Sequence, residues 1–128
     1  MKKLVAILFL VLLVACQQQV DPTLENANSI FDSKDFTIEI VLNEEETESM
    51  SFIDDIIVYK ADGNTTRKTI SFDQALLIND FIQNQFTQHD QSNSEVPSIA
   101  IYNTAKKVTF KIPNYKPEYL ELIKKLKL

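Results

Sequence analysis

The acidic residues in the first half of the chain are the side chains best suited to hold a cation. Glutamates crowd positions 44–48, and two aspartates follow at Asp54 and Asp55. Hard cations such as Ca²⁺ need several oxygens around one centre, whereas contiguous glutamates point in different directions. The alternating acidic pattern of a calcium loop, with its central glycine, is missing. We therefore predict no metal site and interpret this acidic region as a solvated surface for interaction. Its members are Glu44, Glu45, Glu46, Glu48, Asp54 and Asp55.

Asp54 and Asp55 are weak candidates for acid–base chemistry. We expect both in a strand over residues 51–60, where adjacent side chains face opposite sides of the sheet. They would then be unable to work as a pair. An inward-facing member would pair with Lys68 or Arg67 across the next hairpin.

His89 is the chain's one histidine, and it stands beside Asp90 in a polar stretch. A general base needs a nucleophile and an orienting group. The sequence has no Gly-x-Ser-x-Gly motif and no second histidine for a metal. We predict that the protein is not an enzyme and uses no cofactor.

Composition restricts the partners further. A single glycine excludes the glycine-rich loops that cradle phosphates. A formal net charge of −5 argues against nucleic acid. The acids are concentrated in one part of the chain, since residues 21–62 hold twelve acids and two lysines. That asymmetry favours a basic protein as the partner.

The first sixteen residues differ from the rest of the chain. Two lysines form a positive head, residues 4–14 carry no polar side chain, and Ala15-Cys16 ends the run. This arrangement is typical of a secretory signal. Eleven helical residues span only ~16 Å against a hydrocarbon core of ~30 Å, so the run is too short for a transmembrane helix.

Leu13-Val14-Ala15-Cys16 resembles the lipobox of bacterial lipoproteins. The resemblance implies cleavage before Cys16, a diacylglycerol on its thiol and a place in the bacterial cell envelope. Each buried acyl CH₂ contributes ~0.8 kcal/mol, so two or three chains hold a protein firmly. In bacteria with two membranes, members of this family with Asp after the cysteine commonly stay in the inner membrane. Gln17 in that position therefore favours the outer membrane.

The chain divides into three predicted parts. Residues 1–15 are the signal peptide, 16–30 the lipidated cysteine with a flexible tether, and 31–128 a single domain. The tether is inferred from a polar, aperiodic stretch rich in Asn and Gln. After cleavage, Ile, Leu, Phe and Val make up 33 of 113 residues, above the roughly 20% needed to bury a core.

Hydrophobic periodicity predicts five strands and two helices in this domain. Asp62-Gly63 is typical of a type I′ hairpin turn, and Ser71 with Gln74 fits a capping box at a helix start. The predicted strands are 36–42, 51–60, 65–70, 99–102 and 108–112, and the predicted helices are 72–88 and about 117–126.

These elements predict an α+β fold of two layers. The order is β-β-β-α-β-β-α, with a mainly antiparallel sheet of about five strands and two helices. Tyrosines could form an aromatic recognition patch on it or could lie at sheet edges. They are Tyr59, Tyr102, Tyr115 and Tyr119.

The predicted function is that of a membrane-anchored envelope lipoprotein that binds another protein. Either one sheet face or the acidic region would contact this partner. A structural or assembly lipoprotein is the first alternative, and a large exposed apolar patch would favour it. A small-ligand carrier or a hydrolase is the second, and a deep apolar pocket would favour it.

Overall fold

The computed structural model describes residues 17–43, 45–88 and 97–128. The predicted signal peptide, Cys16, Glu44, His89 and Asp90 lie outside the described residues. Among the helices of the described ranges, none has the length and apolar composition that spanning a bilayer requires. The described strands are β1 (Gln18–Gln19), β2 (Asp35–Val41), β3 (Thr47–Ile53), β4 (Ile56–Ala61), β5 (Asn64–Thr69), β6 (Ser98–Tyr102) and β7 (Lys106–Lys111). The described helices are α1 (Leu24–Asp32), α2 (Phe72–Thr87) and α3 (Lys116–Leu126).

The strands form one sheet in the order β1-β7-β6-β2-β3-β4-β5. All neighbours are antiparallel except β1 and β7, which run parallel. The predicted α+β class is confirmed. The described part differs in detail from the prediction, because it has seven strands and three helices where five and two were expected.

The strand register defines two ends of the sheet. The lower end holds the β3–β4 turn and the β6–β7 turn, and the upper end holds the β2–β3 loop and the β4–β5 turn. These two names are used below.

The predicted strand over 51–60 is wrong, because Asp54 and Asp55 form a hairpin turn that divides it into β3 and β4. Their φ angles are 52° and 62°, as a type I′ turn requires. Asp tolerates this conformation better than most residues. Both aspartates are exposed, and Lys68 instead donates from Nζ to the Leu126 carbonyl at 2.8 Å. Neither aspartate faces inward, so the condition for the expected pairing across the hairpin is not met.

The next turn is the one predicted from the sequence. Asp62 and Gly63 have φ angles of 52° and 73°, and Ala61 pairs with Asn64 across them. Two consecutive type I′ turns make β3, β4 and β5 a tight meander. The chain therefore returns to the upper end at Asp62 after leaving it at Thr47.

Alternation along the strands places the apolar side chains on one face, and the helices cover that face. Phe36, Ile38 and Ile40 of β2 are buried there together with Met50 and Phe52 of β3. A cluster of phenylalanine rings connects the sheet to the helices. Its ring centroids are 4.8 Å apart for Phe31 and Phe36, 5.6 Å for Phe36 and Phe52, and 5.4 Å for Phe31 and Phe72.

Residues 17–30 are not the flexible tether expected of them, since they contain β1 and most of α1. The Thr23 hydroxyl caps α1 by accepting from the Asn26 N–H at 3.2 Å. Ala27, Ile30 and Phe31 lie on one helical face and are buried in the core. The folded domain therefore begins well before residue 31.

Both predicted helices are present. At the start of α2, Ser71 and Gln74 form the predicted capping box, with reciprocal hydrogen bonds of 3.0 and 3.2 Å. Pro117 occupies the first turn of α3. α2 contacts both other helices, and a hydrogen bond from Gln83 to Asn28 joins it to α1.

Candidate functional site

The fold divides the predicted acidic region between the two ends of the sheet. Glu45, Glu46 and Glu48 lie at the upper end, whereas Asp54 and Asp55 form the β3–β4 turn at the lower end. The length of β3 separates the two groups by about 20 Å. The six residues therefore do not form one surface. Glu44 lies outside the described residues.

A concavity at the upper end brings the three described glutamates together with Asp62. Its volume is about 270 Å³. Asp62 was predicted only as a turn residue. The meander of β3, β4 and β5 brings Asp62 back beside the β2–β3 loop. The sequence did not predict this approach, because the strand expected over 51–60 was not divided at Asp54-Asp55. The lining consists of Leu42, Glu45, Glu46, Thr47, Glu48, Asp62 and Gly63.

Local hydrogen bonds hold the glutamate-bearing loop in place. The Asn43 side-chain oxygen accepts from the Glu45 and Glu46 N–H groups, both at 2.9 Å. The Leu42 N–H donates to the Glu46 carbonyl at 3.0 Å. An Asx turn of this kind is the reason that Asn43 suits the position. The loop presents its carboxylates on a defined backbone.

Glu48 differs from its neighbours because it points toward the helices. It lies two and four residues before Met50 and Phe52, so it shares their face of β3. Its side chain is half-buried. The alternation of side chains along β3 predicts this orientation of Glu48 as soon as the inward positions of the strand are known.

Tyr119 of α3 brings a buried hydroxyl to Glu48. Its side chain is 3% exposed, and its hydroxyl has no hydrogen-bond partner of ordinary geometry. Burial raises the pKa of Tyr119, and the neighbouring Glu48 carboxylate and Tyr59 hydroxyl raise it further. The group therefore remains a neutral O–H beside a carboxylate.

Tyr59 and Tyr115 complete a tyrosine cluster around Glu48. The Tyr115 and Tyr119 ring centroids are 5.8 Å apart. Burial raises the pKa of Tyr115, with further contributions from Glu48 and Glu46. Burial also raises the pKa of Tyr59; the Tyr119 hydroxyl lowers it, while Glu48 and Asp62 raise it. All three hydroxyls are thus neutral donors at neutral pH.

The fourth tyrosine lies elsewhere. Tyr102 donates to the Glu39 carboxylate at 3.0 Å on the sheet face that the helices leave uncovered. Its ring centroid lies 5.5 Å from the Lys107 Nζ. The predicted aromatic patch is therefore divided, with three of its four members around Glu48.

No described lysine or arginine forms an ion pair with the carboxylates of the concavity. The ion pair found within the described ranges joins Lys125 to Glu121 on α3 at 3.2 Å. Within the same ranges, no three acidic, histidine or cysteine side chains are placed to hold a metal ion. Comparisons with protein-family models, curated proteins and solved structures find no match. Function is therefore inferred from this site, which offers carboxylates without a described ion pair to a cationic group.

Proposed function

We propose that the protein is a lipid-anchored lipoprotein of the bacterial cell envelope that binds a basic protein at the upper end of its sheet. The observation that supports binding is that four acidic residues line one concavity and none of their carboxylates forms a described ion pair. These residues are Glu45, Glu46, Glu48 and Asp62. The lipobox resemblance at residues 13–16 supports the anchor.

The arrangement suits a lysine or arginine side chain of the partner. Like charges held close together raise the local negative potential, which attracts a basic surface and increases the association rate. Hydrogen bonds between a charged donor and a carboxylate are stronger than neutral ones. Glu48, half-buried beside the Tyr119 hydroxyl, is the innermost of these acceptors. A single extended cationic side chain would reach it through the concavity.

A crosslinking pull-down with paired variants tests this proposal. The lipidated, tagged protein is expressed at its native level in its own cells, and captured proteins are identified by mass spectrometry. Glu45→Gln with Glu46→Gln removes two charges from the upper end. Asp54→Asn with Asp55→Asn removes two from the lower end, and Asn tolerates the positive φ of that turn.

We expect the wild type and the lower-end variant to enrich one basic protein. The enrichment of this protein by the upper-end variant should be several-fold lower. Raising the salt concentration should reduce the same enrichment, because exposed charges are screened. Equal enrichment by both variants would contradict the proposed site. No enrichment over a lipid-anchored control domain would contradict a protein partner.

An assembly role is the second candidate, and an apolar patch on the uncovered sheet face favours it. Ile53 and Ile56 are 48% and 43% exposed beside the β3–β4 turn. With Val58 and Arg67 they border a concavity of about 230 Å³. Exposed apolar groups of this kind are typical of contact surfaces. In this role the patch would contact other subunits of an envelope complex.

A further inference from the structure

The first described residues already belong to the fold. The Gln17 side-chain amide donates to the Asn103 carbonyl at 3.0 Å. The Gln18 N–H donates to the Ala105 carbonyl at 2.8 Å, and the Val20 N–H to the Lys107 carbonyl at 2.9 Å. The Val20 side chain packs against the core. The chain is therefore fixed to the β6–β7 turn and the start of β7 from its first described residue onward.

This attachment leaves no tether behind the predicted lipid. Cys16 immediately precedes Gln17, and consecutive Cα atoms are only about 3.8 Å apart. We propose that the lower end of the domain docks directly on the membrane surface, held there by β1, so that the acidic upper end faces away from the membrane. This inference rests on the proposed lipid anchor at Cys16.

The length of β7 sets the distance between the two ends. Lys106 lies at the lower end and Lys111 at the upper end, which corresponds to about 17 Å at ~3.4 Å per residue. A partner would therefore meet the acidic concavity above the headgroups.

Charge supports the same orientation. Bacterial membranes expose anionic headgroups, which repel carboxylates and attract lysines. The concavity with its four carboxylates is at the upper end. The lower end carries Lys34, Lys106 and Lys107 together with Asp32, Asp35, Asp54 and Asp55. The mixed lower end tolerates an anionic surface better than the acidic upper end does.

Two labelling positions beyond opposite ends of β7 test the orientation. Thr104 and Asn114 are both exposed, Thr104 in the β6–β7 turn and Asn114 beyond the upper end of β7. Because Cys16 is the chain's one cysteine and carries the lipid, Thr104→Cys or Asn114→Cys supplies the thiol for a fluorophore. Each lipidated protein is placed in vesicles of phosphatidylethanolamine and phosphatidylglycerol that contain a lipid with a nitroxide on its headgroup.

We expect the label at Thr104 to be quenched several-fold more strongly than the label at Asn114. Inserting Gln-Ser-Gly-Ser-Gly-Ser between Cys16 and Gln17 keeps glutamine after the cysteine and supplies a free tether. This insertion should make the quenching at the two positions nearly equal.

The possible failures are distinguishable. Equal quenching without the insertion would overturn the docked orientation while leaving the lipid anchor in place. Unequal quenching that survives the insertion would overturn the role of β1. Cys16→Ser, which cannot carry the lipid, is the variant expected not to float with vesicles. If the wild-type chain also fails to float, the anchor itself is overturned and the proposed function with it.

Discussion

Tyr119 places a hydroxyl that has no hydrogen bond of ordinary geometry beside the half-buried carboxylate of Glu48. A buried polar group of this kind normally costs free energy, because it loses its hydrogen bonds to water. Glu48 lines the acidic concavity, and the Tyr119 hydroxyl lies beside it within the protein. At the scale of single residues, Tyr119 and Glu48 are therefore the innermost part of the proposed site.

We predict that alkaline pH destabilises the protein through Tyr119. Burial and then Glu48 raise its folded-state pKa above the usual value of about 10, so the folded state holds its proton when the unfolded state has lost it. The stabilisation is complete below pH 10 and falls as pH rises beyond it, by at most about 1.4 kcal/mol per pH unit. Tyr119→Phe should make this decline shallower without abolishing it, because the pKa values of Tyr59, Tyr102 and Tyr115 are raised as well. It should change stability at pH 7 by no more than about 1 kcal/mol, because the hydroxyl has no hydrogen bond of ordinary geometry. Denaturant unfolding at several pH values measures both.

Tyr102→Phe is the matched control for this titration. Tyr102 is only half-buried, so its removal should leave most of the alkaline decline in place. An equally steep decline in Tyr119→Phe and in the wild type would show that Tyr119 is not the group responsible.

At the scale of elements, α1 is the part of the fold that the sequence analysis missed. Ile30 is completely buried in the core, so Ile30→Ala should reduce the free energy of unfolding by about 2–5 kcal/mol. Asp32→Ala, at an exposed position of the same helix, should change it by less than about 0.5 kcal/mol. Denaturant unfolding of the 17–128 chain compares the two variants. Equal stability of Ile30→Ala and the wild type would mean that this segment is a tether after all.

The elements that sequence reasoning located are those with strong local signals. β2 alternates without interruption, and α2 carries its own capping box. α1 is only nine residues long, and the burial of Ala27, Ile30 and Phe31 depends on strands far along the chain. The Asp54-Asp55 turn was missed because β-branched residues surround it and Asp-Asp is a weaker turn signal than Asp-Gly.

The candidate site was predictable only in part for the same reason. The glutamates of positions 45–48 stand together in sequence and remain together in the structure. Asp62 and Tyr119 join them through the meander and through the packing of α3 on the sheet. Contacts of this kind depend on tertiary structure, and no local pattern in the sequence contains them.

At the scale of the whole molecule, the open sheet has two edges that are treated differently. β1 pairs with Lys106 and Lys107 at the start of β7, whereas β5 forms the other edge. Charged side chains on an edge strand discourage pairing with another sheet, and β5 carries Arg67 and Lys68. Arg67 also borders the exposed apolar patch formed by Ile53, Ile56 and Val58. The Arg67 side chain thus opposes association both at the β5 edge and at the apolar patch.

We predict that Arg67→Val promotes self-association through β5, because it removes charge from the edge and extends the apolar patch. Sedimentation velocity of the 17–128 chain should show the weight-average sedimentation coefficient rising at lower protein concentration than for the wild type. Arg67→Lys keeps the charge and should behave as the wild type. If Arg67→Val also behaves as the wild type, the patch does not favour contact between proteins, and the assembly role loses the observation that supports it. If Arg67→Val associates while the wild type and Arg67→Lys do not, the charge of Arg67 is what prevents self-association of this face. Such a face is expected of a contact surface in a larger complex.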